Sequence, residues 1–192
     1  MQEDLVAQRL REMMRESGAH LEGHFRLTSG YHSGDYIQCA LLLRYPRYAE
    51  FAGRALADRV RGLSPEMIAS PAIGGIVIGH EVARALDLPF IFCERRDGAM
   101  TLSRFPMPAG KRVVVIEDVI TTGVSSGEVG RLLEEGGALW AGTGTIMDRS
   151  GGQSSLPHLP ESLWQAVFPV WQPEDCPLCR QGLPVVKPGS RV

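Results

Sequence analysis

With 192 residues, 44% of them apolar and 22% charged, the chain is long enough to bury one sizeable α/β core and too short for two independent domains. A formal net charge of -2 gives no overall attraction to nucleic acid, so an anionic ligand has to be held by locally placed groups. No apolar run approaches the roughly 18 residues of a membrane span, and the start, MQEDLVAQRLREMMRESG, lacks the basic-then-apolar layout of a secretory signal, so no membrane segment and a cytoplasmic location are expected.

Residues 2–17 carry Val6, Leu10, Met13 and Met14 at helical spacing and stop at Ser17-Gly18, which predicts an amphipathic helix. From Ala19 to Leu43, short alternating segments broken by Ser29-Gly30 and Ser33-Gly34 predict a pair of small strands rather than a helix, outside the central sheet. His24 and His32 read there as surface or structural histidines. Pro46 opens a helix with Tyr48, Phe51, Ala52, Ala55, Leu56 and Val60 on one face, closing near Gly62. A short strand, Met67 to Ala72, leads through Ile73-Gly74-Gly75 into a helix carrying Ile78, Val82, Ala85 and Leu86. A strand from Pro89 to Glu94 follows, then a charged stretch from Arg95 to Gly110.

Residues 112–128, RVVVIEDVITTGVSSGE, are the most informative. Val113 to Ile116, with Val119 and Ile120, form a buried strand that delivers Glu117 and Asp118 to its carboxyl end. Thr121, Thr122, Gly123, Ser125 and Ser126 then supply hydroxyls and open backbone ahead of a helix marked by Val129, Leu132 and Leu133. Such a loop can turn several N–H groups toward one anion, aided by the helix dipole, and so forms a phosphate cradle. Acids beside it are suited to accepting hydrogen bonds from sugar hydroxyls, and the implied ligand is a phosphorylated ribose. A Walker loop would need Gly-Lys-Ser/Thr and a dinucleotide fingerprint G-x-G-x-x-G; neither is present.

After Gly136-Gly137, a strand from Leu139 to Met147 exits through Asp148-Arg149-Ser150-Gly151-Gly152, and a last strand at Leu163 to Val170 precedes a tail rich in Pro and Gly. The alternation predicts an α/β fold with a mostly parallel central sheet flanked by helices, its ligands at the carboxyl strand ends where Glu94, Glu117-Asp118 and Asp148-Arg149 fall. Of four cysteines, Cys39 and Cys93 read as core residues. Cys176-Pro177-Leu178-Cys179 is half of a tetrahedral zinc site; no second pair stands at suitable spacing and His158 is the only late histidine, so no metal site is expected and the cysteines read as structural.

VVVIEDVITTGVS resembles the 5-phosphoribosyl 1-diphosphate binding motif of type I phosphoribosyltransferases, and further stretches resemble the orotate phosphoribosyltransferases. FRLTSGYHSGDY is similar to their F-x-L-K-S-G-x-x-S-x-x-Y/F segment, with Thr28 in place of the lysine. Pro71 to Ile76 resembles the pyrophosphate loop, with Gly74 in place of its common lysine. Glu94 to Arg104 is similar to a mobile catalytic loop of the form E-R-x-D-G-x-M-x-L-x-R, and Asp148-Arg149 to the D-R motif whose arginine grips orotate.

The resemblance implies one domain over 1–192: an N-terminal helix and hood segment at 1–45, a core at 46–170 and a tail at 171–192, the hood being built from both terminal segments. It implies transfer of a phosphoribosyl group to orotate, with magnesium carried mainly by the diphosphate and a homodimer in which the loop reaches the neighbouring site. Thr121, Thr122, Gly123 and Ser125 would hold the 5-phosphate, within a substrate-binding run that includes Val119, Ile120 and Val124, and Glu117 and Asp118 would hold the ribose, with Asp118 near the cationic transition state. Gly74, Gly75, Arg95 and Arg96 would meet the diphosphate, and Arg149 the orotate. A transferase for uracil or a purine, or a non-catalytic nucleotide sensor, is the alternative.

Overall fold

The structure is a computed structural model that describes residues 5–27 and 29–187. Helix α1 (Leu5–Glu16) buries Leu10, Met13 and Met14 along one stripe, and Gly18, at φ 71°, turns the chain out of it. Strands β1 (His20–Arg26) and β2 (His32–Ile37) form the expected hairpin. The next residues depart from expectation: Cys39–Leu43 is a short helix, α2, with Cys39, Leu42 and Leu43 buried at i, i+3 and i+4. A run of four or five apolar residues fits strand or helix equally, and here packing decided.

Helix α3 (Pro46–Val60) starts on Pro46 after an extended Tyr45 and runs into a 3₁₀ turn at Arg61–Leu63. Strand β3 (Met67–Pro71), helix α4 (Gly75–Leu86) and strand β4 (Phe90–Arg96) follow as predicted. The charged stretch after Glu94 is partly ordered structure rather than open loop. Arg95 and Arg96 lie on β4, which turns through Asp97 and Gly98 at φ 49° and 84° into β5 (Ala99–Thr101), antiparallel to it. Asp-Gly at two consecutive positive φ angles is a strong two-residue hairpin signal.

Strand β6 (Arg112–Ile120), helix α5 (Val124–Glu135) and strand β7 (Leu139–Asp148) complete the core pattern. The single strand expected at 163–170 is two: β8 (Glu161–Gln165) in the central sheet and β9 (Val170–Trp171) on the hairpin. Phe168 and Pro169 lie between them, and proline cannot donate to a sheet ladder. A 3₁₀ turn at Pro173–Asp175 and a four-residue helix, α6 (Pro177–Arg180), end the described elements.

The central sheet has the order β5-β4-β3-β6-β7-β8, parallel except for β5. The hood is a second sheet, β1-β2-β9, drawn from both ends of the chain. Alternation along the central strands separates two cores. On one face Ile68, Val114, Ile116, Ile146 and Leu163 pack with α1, α2, α3 and α4. On the other Ala69, Val113, Val115 and Trp140 pack with Val129 and Leu133 of α5. From β3 the chain adds β4 on one side and later β6 on the other, so the strand order reverses between β3 and β6. The crevice at their carboxyl ends is where ligands bind in such sheets.

Candidate active site

Two loops meet at that crevice. After β3, Gly74 and Gly75 start α4 so close to β6 that a Cβ on Gly74 would stand 2.7 Å from Asp118 Oδ1, and one on Gly75 2.9 Å from the Ile116 carbonyl oxygen. A side chain at position 74 would require the Asp118 carboxylate to shift. Ile73 is 85% exposed beside them, and the Ala72–Ile73 peptide is cis.

After β6, residues Glu117 and Val119 to Ser126 line a cup of ≈ 60 Å³. Gly123, at φ 79°, takes the N-cap position of α5, and a Cβ there would lie 2.9 Å from Leu156 Cγ. Both the left-handed backbone and the crowding therefore require glycine. Ser155 braces the loop from behind, donating to the Thr122 carbonyl from its N–H at 2.8 Å and from its hydroxyl at 2.9 Å. Among the first-turn amides of α5 the Val124 N–H reaches the Thr122 hydroxyl at 3.5 Å, and a helix start of this kind offers its remaining N–H groups to an anion.

Glu117 is 8% exposed, and burial, reinforced by the neighbouring Asp118 carboxylate, holds its carboxyl well above the usual range. Ser126 Oγ donates to it at 3.5 Å and the Asp118 N–H at 3.2 Å. Asp118 is half-buried; its Oδ1 accepts the Val119 N–H at 2.9 Å and its carbonyl accepts the Thr145 hydroxyl at 3.1 Å. Asp118 offers hard carboxylate oxygens at the crevice edge, the donor type that magnesium takes.

Arg149 leaves β7 beside this loop, its N–H donating to the Ile120 carbonyl at 2.8 Å. The guanidinium lies over the Phe168 ring at 4.9 Å. Its Nε is buried without a hydrogen-bond partner, one of two such side-chain atoms among the described residues. Burial lowers the pKa of Arg149, and the Asp35 carboxylate of the hood opposes that. A half-buried cation with an unspent donor favours an incoming anion.

The hairpin cations are engaged elsewhere. Arg95 pairs with Glu128 on α5 and donates to the Gly98 carbonyl at 2.7 Å. Glu94 collects Arg96 at 3.1 Å, Arg104 at 2.9 Å and the Ser103 hydroxyl at 2.9 Å. The structure thus brings together Gly74, Gly75, Glu117, Asp118 and the residues from Val119 to Ser125, with Arg149 at their side, and holds Arg95 and Arg96 on a hairpin in ion pairs of its own. Thr28 lies outside the described residues. Sequence reasoning missed Phe168, Leu156, Ser155 and Glu128, which support the site from other elements and carry no motif.

The phosphoribosyl transferase domain family matches residues 42–160. The orotate phosphoribosyltransferase of Pelotomaculum thermopropionicum is 49% identical over 180 residues, covering 93% of this chain and 95% of that protein. That of Thermotoga maritima is 45% identical over 183 residues, covering 95% and 98%. Among solved structures, the orotate phosphoribosyltransferase of Aeropyrum pernix superposes with a TM-score of 0.72 at 26% identity, over 81% of this chain and 93% of that one. The Mycobacterium tuberculosis H37Rv orotate phosphoribosyltransferase in complex with 5-phospho-α-D-ribosyl 1-diphosphate shares the fold, with a TM-score of 0.63 at 18% identity over 85% of this chain and 91% of that one.

Proposed function

The chain belongs to the phosphoribosyl transferase domain family and, within it, to the orotate phosphoribosyltransferases; we propose that its crevice transfers the 5-phosphoribosyl group of 5-phosphoribosyl 1-diphosphate to orotate. The products are orotidine 5'-monophosphate and diphosphate, in a step of pyrimidine nucleotide synthesis. The observation that carries the reading is the half-buried Arg149 guanidinium with its unpartnered Nε, next to a phosphate cup and an acid pair. A phosphate cup alone fits many donors and acceptors. A half-buried fork for a planar carboxylate fits orotate, which differs from uracil by that group.

The reaction breaks the bond between ribose C1 and the diphosphate oxygen, whose electron pair leaves with diphosphate, and forms one from C1 to a ring nitrogen of orotate, whose N–H proton passes to the departing diphosphate. No covalent nucleophile is needed. Positive charge develops on the ribose, so the chain's work is to hold two reactants in line and to favour that charge. The cup fixes the 5-phosphate through Thr121 to Ser125. Glu117 and Asp118 accept from the ribose hydroxyls, with the half-buried Asp118 carboxylate near the developing cation. The Gly74-Gly75 backbone lets the diphosphate approach the start of α4.

Magnesium would be carried mainly by the diphosphate, with the Asp118 carboxylate available to hold it, and would supply charge neutralisation for the departing group. Arg95 and Arg96 reach the diphosphate once the hairpin exchanges Glu128 and Glu94 for substrate, and closure of residues 95–110 excludes water that would hydrolyse the donor. The same reading makes the molecule a cytoplasmic homodimer in which that segment serves the neighbour's crevice.

The test is turnover. With magnesium and the ribosyl donor, the folded chain should remove orotate's ultraviolet absorbance and release diphosphate. Absence of change with folded protein, or consumption of uracil or a purine in place of orotate, would overturn the assignment.

A further inference from the structure

We propose that the hood holds a structural transition-metal site, most suited to zinc, formed by His24, His32, Cys176 and Cys179. The sequence argued against zinc because Cys176 and Cys179 lacked a second ligand pair. The fold supplies that pair from the opposite end of the chain. The ligand atoms of the four side chains all lie within 4.8 Å of one another. His24 Nε2 is 3.4 Å from Cys176 Sγ and 3.7 Å from Cys179 Sγ, and His32 Nδ1 is 3.3 Å from Cys179 Sγ. A tetrahedron with zinc–sulfur bonds of about 2.3 Å and zinc–nitrogen bonds of about 2.0–2.1 Å has edges of roughly 3.3 to 3.8 Å. The two ring nitrogens are closer, at 2.9 Å, so a bound ion would part them by a few tenths of an ångström.

Three further features mark a built site. Between the pairs Glu22–Asp35 and Phe25–Ser33, two residues, Gly23 and His24, oppose Gly34 alone. This bulge turns His24 inward, so that His24 and Phe25 are both buried where an even strand would alternate. Second, His24 Nδ1 lies 2.8 Å from the Leu183 carbonyl oxygen. A carbonyl only accepts, so Nδ1 carries the proton and Nε2 presents its lone pair to the cluster, the arrangement by which metal-bound histidines are oriented. Third, His24, His32 and Cys176 are buried, at 4%, 6% and 0% exposure. Cys179 is exposed and closes the cluster from the solvent side, so the four groups sit at the edge of the hood with three of them buried.

The four ligands leave no open position, so the site is structural rather than catalytic. Its role follows from what it joins. Cys176 and Cys179 flank or lie within the four-residue helix α6, too short to hold itself. Beyond it the chain returns to β1, with Val186 donating to the His24 carbonyl at 2.8 Å and accepting from the Arg26 N–H at 2.9 Å. A metal would fasten this tail to the β1–β2 hairpin, and with it the hood that carries Asp35 toward Arg149.

The test begins with the purified full-length chain in reductant. About one zinc per chain is expected by elemental analysis, with X-ray absorption at the zinc edge reporting two sulfur and two nitrogen scatterers. After removal of zinc by a chelator, cobalt(II) should give the intense visible bands of a tetrahedral ion and thiolate charge-transfer absorption, saturating at one equivalent. Cys176→Ser and Cys179→Ser should each weaken those bands, and metal removal should lower the melting temperature, reversibly with zinc and not with magnesium. If either variant fails to fold, the wild-type absorption edge still decides. Failure of the reduced chain to bind zinc or cobalt, an oxygen-only or octahedral ligand set, or retention of the metal in the Cys176→Ser/Cys179→Ser double variant would overturn the proposal. None of these readouts depends on turnover of orotate.

Discussion

Replacing Arg149 with methionine keeps an unbranched stem over Phe168 and removes the charged fork. A hydrogen bond to a charged group contributes about 1.5–3 kcal/mol, and truncating one side of a buried charged pair costs about 2–5 kcal/mol. Arg149 is only half-buried, which places the loss in the lower part of that range, about 3 kcal/mol. That corresponds to roughly a 150-fold fall in kcat/KM for orotate. Because Nε has no protein partner, the loss should fall on the complex and not on the fold: the melting temperature should hold or rise. Arg149→Lys keeps the charge without the planar fork and should lose about tenfold. Initial rates followed by orotate absorbance at saturating ribosyl donor separate these outcomes, with the donor's KM as the internal control. A kcat/KM for orotate within threefold of wild type in Arg149→Met, or an equal loss on the donor side, would refute the role given to the fork.

Gly123→Ala must adopt a left-handed backbone and press on Leu156, so unfolding by urea should show a loss of about 2–3 kcal/mol, with a raised KM for the ribosyl donor; an unchanged midpoint would contradict the crowding. Glu117 in the fold binds its proton more tightly than the ordinary glutamate value of 4.5, so between that value and its higher folded value the native chain holds more protons and stability falls as pH rises. Glu117→Gln should therefore melt like wild type below about pH 4 and at increasingly higher temperature than wild type as pH rises, and a difference that shrinks with pH would be the wrong sign. Glu128→Gln frees Arg95 from an exposed pair contributing at most about 1 kcal/mol, so the melting temperature should move by less than about 3 °C while the donor's KM falls about threefold; donor kinetics identical to wild type would show that the pair does not compete with substrate.

The parts of the fold legible in the sequence are those set by local pattern. Val113 to Ile116 read as a buried strand because a parallel strand covered on both faces needs an unbroken apolar run, and the structure buries all four. The turn between β6 and α5 was legible because its glycine, hydroxyls and helix start are adjacent in sequence. The hairpin at Asp97-Gly98 was legible too, in its turn residues, but the charges on either side drew the reading toward an open loop. Cys39–Leu43 was not, since its apolar run has no period until α3 and β6 are there to pack against. What no local pattern could show is the meeting of distant segments. Phe168 beneath Arg149, Leu156 behind Gly123, and His24 with Cys176, 152 residues away, are products of the topology. Their neighbours in sequence say nothing about them.

The crevice also has a ruler. Its three functional loops leave β3, β6 and β7, which are consecutive neighbours in the sheet, so their roots are set by strand spacing of about 4.8 Å, or roughly 10 Å from the first to the third. On the proposed reading the diphosphate, sugar and base positions would thereby be stepped off by hydrogen-bonded backbone and not by the loops themselves. On that reading a change of acceptor would be written into residues 148–153, on the last of the three steps, while the other two steps continued to present the same activated sugar. One rigid sheet can in this way keep a common donor chemistry fixed and let the accepted base diverge.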